Sequence, residues 1–245
     1  MLDHSWLILR FEAPLLAFGG VAIDQIGVTR DFPAQSMLAG LMANAMGWER
    51  TDWQNCQALQ DRLVFAARRD RDDESGRLTD SQNVRLEKND KGWTTRGEPE
   101  GRDGASYGAP HRRRRDYHMD ARVMVALRLK LADQQPDLDA LAAALNRPAR
   151  PLFIGRKPCL PSAPLLLPDR VTAPTAYAAL LAIAGKEGAP MKEMRAVWPQ
   201  GEGPDDGTDV RRVIDLPDIR NWRTGLHGGT RRIVEGVVTT RELAA

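Results

Sequence analysis

In Pro151-Leu152-Phe153-Ile154-Gly155-Arg156-Lys157-Pro158-Cys159-Leu160-Pro161, three apolar residues run into a glycine, two cations and two further prolines. Leu152 to Gly155 reads as a short buried strand, and Gly155 removes a side chain where a backbone or a ligand must come close. Arg156 and Lys157 set positive charge beside that bare backbone, while Pro158 and Pro161 hold the turn extended. Bare backbone next to cations suits a phosphate chain. The same residues also fit an ordinary strand-to-turn exit, so the surrounding chain decides between the two.

Just upstream, Val123, Val125, Leu127, Leu129 and Leu131 alternate with Met124, Ala126, Arg128 and Lys130, which predicts a strand over Asp120 to Leu131. Pro136 opens a helix with Leu138, Leu141 and Leu145 on one face, and Pro148 ends it. Near the N-terminus, Trp6 to Phe11 is an apolar run that predicts a central strand, and Phe18-Gly19-Gly20 is a flexible bend. Asp31 as a cap and Pro33 in the first turn would start a helix whose Met37, Leu38, Leu41, Met42 and Ala45 share a face. Gly40 inside that helix costs about 1 kcal/mol against alanine and predicts close packing against a strand. Gln35 and Ser36 stand at the helix start, where backbone N–H groups attract an anion. Leu59 to Arg69 holds a second strand around Leu63 to Ala67. The resulting order is strand, helix, strand, arm, strand, helix, strand. That is the βαββαβ pattern of an α+β, ferredoxin-like (RRM-like) domain.

The arm interrupts this order. Between Asp70 and Arg115 the large aliphatics are Leu78, Val84 and Leu86, amid Arg, Asp, Glu and Gly. Such a segment is too polar for a core and too long for a plain connection, which predicts a projecting thumb or hairpin over 70–118. It ends in His111-Arg112-Arg113-Arg114-Arg115, whose arginines cannot fold inward; they form either a solvated basic face or a phosphate-binding one. The expected division is 1–158 for the ferredoxin-like domain and 159–245 for a small β-rich C-terminal domain. The latter would hold a short helix over Thr175 to Ala184 and strands over Val210 to Ile214 and Ile233 to Val238. Between those strands, Arg220-Asn221-Trp222-Arg223 and Gly228-Gly229-Thr230-Arg231-Arg232 form a second basic, glycine-containing region.

Hydrophobic residues make up 42% of the 245 and charged residues 28%, which fits a folded chain with ample core material. Lys and Arg total 35 against 33 Asp and Glu, so a nucleic-acid surface must come from local clustering rather than overall excess. No apolar run approaches the roughly 20 residues of a membrane span. Asp3 and the lack of a basic start argue against a signal peptide. Cys56 and Cys159 have no CxxC partner, and His4, His111, His118 and His227 show no ligand spacing. Neither a metal nor a cofactor is expected, and a reducing, cytoplasmic setting is.

Taken in order, several stretches resemble the CasD family of type I-E Cascade subunits, which are CRISPR-associated RAMP-superfamily proteins. They are Leu7-Ile8-Leu9-Arg10 through Pro14 to Phe18-Gly19, and Phe32-Pro33-Ala34-Gln35-Ser36 followed by Leu38, Gly40-Leu41 and Gly47. Further along come Arg115-Asp116-Tyr117 with Asp120-Ala121 and Val125-Ala126-Leu127, then Gly155 to Pro161 with Pro164-Leu165. The resemblance covers about residues 6 to 167, and Asp31 and Gln35 stand where relatives often carry basic residues. It implies a ferredoxin-like domain with a thumb, in a non-catalytic subunit that grips the 5′ handle of CRISPR RNA (crRNA) and caps one end of the complex. The implied partners are that handle, the Cascade backbone subunit and the large subunit. There would be no membrane, and target DNA would be reached only through the assembled complex.

The residues agree with that implication. Single-stranded RNA needs cations for phosphates, bare backbone for base edges and flat side chains for stacking. Arg30, Gln35, Ser36, Gly155, Arg156 and Lys157 would supply a pocket, with Arg112, Arg113, Arg114 and Arg115 on the arm. Two other readings compete. Relatives in type I-C systems cut precursor crRNA without metal, using a set that includes Tyr, Lys and His; here Tyr117, His118 and His111 would be the candidates. If that segment is extended, Tyr117 and His118 point to opposite faces, and one of them packs. The third reading is an interaction subunit whose arginines pair with acidic protein surface.

Overall fold

The computed structural model describes residues 2–20, 22–23, 25–71, 76–84, 92–93, 99–100, 111–183 and 193–239. Strand β1 (His4–Glu12) is followed by the short strands β2 (Leu15–Leu16), β3 (Ala22–Ile23) and β4 (Ile26–Gly27), then by helices α1 (Gln35–Ala45) and α2 (Trp53–Arg62). Next come β5 (Leu63–Arg71), β6 (Arg77–Val84), β7 (Gly92–Trp93), β8 (Pro99–Glu100) and β9 (His111–Met119). β10 (Arg122–Leu129) and α3 (Leu138–Asn146) lead into β11 (Val171–Ala173), α4 (Ala176–Ala182), β12 (Glu193–Pro199), β13 (Val210–Leu216) and β14 (Arg231–Thr239).

A seven-stranded antiparallel sheet in the order β11-β1-β10-β5-β12-β14-β13 carries the core. Side chains alternate across it with period 2. Leu7, Leu9 and Phe11 of β1 and Val123, Val125 and Leu127 of β10 pack with α1, α2 and α3. Trp6, Ile8, Met124 and Ala126 face the other way, against α4 and Trp198 of β12. Burial on both faces explains why β1 reads as an unbroken apolar run. Truncating one of these central side chains to alanine costs about 2–5 kcal/mol.

Several expectations need correcting or completing. Leu152 to Gly155 forms no strand: Pro148, Pro151, Pro158 and Pro161 lack ladder donors, and Gly155, at φ 84°, turns the chain at once. The edge beside β1 is instead taken by 165–173, through Arg10 N–H to Leu165 O (2.7 Å), Leu167 N–H to Ile8 O (2.9 Å) and β11. Asp31 does not cap α1; Ala34 holds that position, and Asp31 pairs with Arg77 and Arg195. The expected strand around Leu63 to Ala67 forms as β5, and helix α2, which the sequence did not mark, runs up to it with Cys56, Leu59 and the polar Gln60 buried. Strand β12, which the sequence did not mark, hydrogen-bonds β5, so the C-terminal strands extend the same sheet.

The expected arm contains a hairpin. β6 and β9 pair antiparallel from Arg77 opposite His118 to Val84 opposite His111. β2 and β4 pair with β9 near its base, β2 antiparallel and β4 parallel. Residues 72–75, 85–91, 94–98 and 101–110 of the arm lie outside the described residues. Among the described residues, no helix is long and apolar enough to cross a membrane.

Candidate nucleic-acid interface

A cleft of about 360 Å³ opens where α1, the bend at Phe18 to Gly20, the turn at Phe153 to Gly155 and the loop from Asp218 to His227 meet. Arg30 and Arg220 give it charge, and Phe18, Phe153 and Trp222 give it flat apolar wall. Gly19, Gly20, Gly40 and Gly155 leave backbone bare, while Ser36, Asn44 and His227 add polar edges. Cations, aromatics and bare backbone around one cleft are what single-stranded nucleic acid requires.

Two buried polar side chains set the C-terminal wall. Asp218 is fully buried; its Oδ2 accepts from Gln35 N–H (3.0 Å), its carbonyl accepts from Ser36 N–H (3.1 Å), and its carboxylate pairs with Arg231 (2.8 Å). The chain's own carboxylate thus occupies the helix start that the sequence suggested for an external anion. Gln60, also fully buried, accepts through Oε1 from Arg220 N–H and Trp222 Nε1–H (both 3.1 Å) and donates to Arg220 O (2.9 Å). These bonds pin both ends of the Arg220–Trp222 segment to α2.

The residues singled out from the sequence divide into three groups. Arg30, Ser36 and Gly155 line the cleft, and the Arg30 guanidinium also reaches the Pro217 carbonyl (2.8 Å). Gln35 lies behind the wall, its amide donating to Gln60 O (2.6 Å), so it supports the cleft without facing it. Arg156 turns away. It donates to the carbonyls of Asp116 (2.8 Å), Gly27 (2.9 Å) and Val28 (3.3 Å), with its guanidinium 4.8 Å from the Tyr117 ring centre. It therefore clamps the hairpin base to β4, whereas Lys157 is exposed.

On β9, Arg112, Arg113 and Arg114 are exposed and Arg115 is half-buried beside Gly27. Strand alternation places Arg112 and Arg114 on one face of the hairpin and Arg113 and Arg115 on the other. Tyr117 and His118 are both buried, at 4% and 3% exposure, so both pack, where alternation alone predicts that one does. His118 Nε2–H donates to the Arg30 carbonyl (2.8 Å), and Nδ1 faces Arg69 (3.5 Å). Burial of the ring holds its pKa below the ordinary 6.5; the Arg30 carbonyl opposes that shift, and the Arg69 charge adds to it. Neither side chain is placed to reach an RNA backbone, and the side chain of His111 lies outside the described residues. Among the described residues no group of His, Cys, Asp or Glu could hold a metal ion.

Trp222, Arg220, His227, Phe153 and Gln60 belong to the cleft or its support without having been named as binding residues. The second basic region contains both Arg220 and Trp222. Nothing in the sequence marks Gln60, whose role depends on a loop 160 residues away.

The family model described as CRISPR-associated protein (Cas_Cas5) matches residues 6–234. The CRISPR system Cascade subunit CasD of Escherichia coli (strain K12) is 29% identical over 164 residues, which is 67% of this chain and 70% of that protein. A chain of a CRISPR RNA-guided surveillance complex superposes with a TM-score of 0.67 at 25% identity, over 97% of this chain and 90% of the other. A crystal structure of a Cas protein shares the fold, with a TM-score of 0.56 at 22% identity over 96% and 94%.

Proposed function

Since this chain belongs to the Cas5 family of CRISPR-associated proteins, we propose that it is a non-catalytic subunit of a Cascade-type surveillance complex that binds the 5′ handle of crRNA and caps one end of the assembly. The observation that carries this reading is the cleft, where Arg30, Ser36 and Gly155 meet Trp222 and Phe153. The exposed Arg112 and Arg114, on one face of the hairpin, supply a second row of positive charge for the same strand of RNA. The backbone and large subunits of the complex are its protein partners, and target DNA is met only in the assembly, where guide pairing reads sequence. We place it in the cytoplasm. We read β1, β10 and β5 as the sheet of a ferredoxin-like domain over 1–158, with 70–118 as its thumb and 165–173 of the second unit completing its edge. We retain 1–158 and 159–245 as units of role, the second supplying the wall around Trp222.

The test is incubation of the purified full chain with labelled repeat RNA in EDTA, scored for binding and for cleavage. Retained, uncut RNA whose affinity falls steeply with salt is expected, at a logarithmic slope of about −0.7 per phosphate contacted. A discrete cut by the native chain would overturn the reading and make the protein a processing nuclease.

A further inference from the structure

Arg10, Arg128 and Arg220 each bury an Nε without a hydrogen-bond partner among the described residues, but Arg10 and Arg128 pair with Glu12 and Glu202, whereas Arg220, in the loop from Pro217 to Gly229, has no such carboxylate. Arg220 lines the cleft, with its guanidinium 5.1 Å from the Trp222 ring centre, and its Nε is buried with no hydrogen-bond partner among the described residues. A buried donor in that state is uncommon and calls for an acceptor. The Nη2 atoms of Arg220 and of Arg50 both lie 3.3 Å from where Gly225 would carry a Cβ, so two cations converge on one bare glycine. No carboxylate among the described residues pairs with either. Gly225, at φ 77°, holds a turn that exposes backbone rather than a side chain at that point.

The wall beside this pair is fixed before any ligand arrives. Trp222 is held by its indole Nε1–H on Gln60 and by its backbone N–H on Gln57 Oε1 (3.2 Å). Gly40 of α1 leaves the space next to the indole edge unfilled. A rigid aromatic surface next to a converged pair of guanidinium groups matches one nucleotide, a flat base joined to a phosphate.

We propose that the cleft takes a single unstacked nucleotide of single-stranded RNA, with its base against Trp222 and its phosphate on Arg220 and Arg50. This rests on the reading of the protein as an RNA-handle subunit and assigns the base-holding wall to the C-terminal loop. None of these residues is in the stretches that carry the resemblance to CasD proteins. Ser36, Asn44 and His227 then face the edge of the base.

An abasic scan tests it. Repeat RNAs lacking one base at a time are titrated against the full chain and against Trp222→Leu, Trp222→Phe, Arg220→Gln and Arg50→Gln, each checked for an unchanged melt. At one position, loss of the base should weaken binding to the native chain by about tenfold to a hundredfold. That penalty should vanish in Trp222→Leu and persist in Trp222→Phe. Arg220→Gln and Arg50→Gln should each flatten the salt slope by up to about 0.7. If Trp222→Leu does not fold, the salt slopes of the two arginine variants carry the decision. A flat scan, or a penalty unchanged in Trp222→Leu, overturns the nucleotide site while leaving RNA binding intact. No binding by the native chain overturns both.

Discussion

The turn at 151–161 and the loop at 217–229 are both basic, both contain glycine, and both border the same cleft, yet their arginines do opposite things. Arg156 meets three backbone carbonyls where β4 ends and β9 passes, and its guanidinium is absorbed in joining them. Arg220 meets no such supply. Gln60 has already satisfied the backbone of its segment, and its Nε is left without an acceptor. A cation in a turn is therefore structural or available according to the unpaired carbonyls within its reach, not according to its neighbours in sequence.

The largest effect is expected from Gly155→Ala. A Cβ there would fall 1.6 Å from Ala17 O, a backbone atom that cannot swing aside, in a residue already at φ 84°. The left-handed conformation and the overlap together should cost about 3 kcal/mol or more, read as a lower urea midpoint. A loss under about 1 kcal/mol would mean that the turn is not seated on the Phe18 bend, and the contrast between the two regions would collapse.

Arg156→Ala comes next. It strands the carbonyls of Asp116 and Gly27 and uncovers the Tyr117 ring, for an expected loss of about 2–3 kcal/mol. Arg220→Gln should cost about 1 kcal/mol or less, since it removes a stacked cation but no hydrogen bond among the described residues. Equal losses in urea denaturation would break the comparison. A stability loss confined to Arg156 and an RNA-affinity loss confined to Arg220 would sharpen it.

This contrast also marks where sequence reasoning stops. The alternation of Val123, Val125 and Leu127 and the run of β1 report on the residues themselves, so strands built from them are legible. The polar character of 70–118 likewise announced a hairpin with arginines on its surface. Gly155 announced a close approach, but not that Ala17 would be what approaches. Asp218 reads as one more loop acid until α1 is folded above it, and Gln60 as one more polar helix residue until Trp222 arrives. Such roles are set by contacts far apart in the chain, which composition and periodicity do not carry.

His118 extends the comparison to pH. It belongs with Arg156 on the inward side, joining β9 to the Arg30 carbonyl while Arg69 and Arg77 face it with positive charge and Asp31 with negative. Its folded pKa lies below 6.5, so the unfolded chain binds the extra proton first as pH falls. The contribution is whole above about pH 6.5 and is lost as pH drops toward the folded value, with a slope of at most about 1.4 kcal/mol per pH unit. Urea denaturation of the native chain should weaken between pH 7 and pH 5, and that of His118→Gln should be flatter over the same interval. Equal slopes would remove His118 from the framework of the hairpin base.

The smallest effect separates stability from function most cleanly. Gly40 sits inside α1, where alanine would gain up to about 1 kcal/mol of helix propensity. An added Cβ meets only the Trp222 indole edge, at 3.4 Å, so nothing in the backbone forbids it, in contrast to Gly155. Sequence reasoning expected a strand against Gly40; the structure places this indole there. Gly40→Ala should therefore raise the melting temperature slightly and, by filling space beside Trp222, weaken binding of the repeat RNA. A gain in stability with unchanged affinity would show that the space beside the indole is not used. A gain in stability with a loss of affinity would identify Gly40 as a glycine kept for what enters the cleft rather than for the fold.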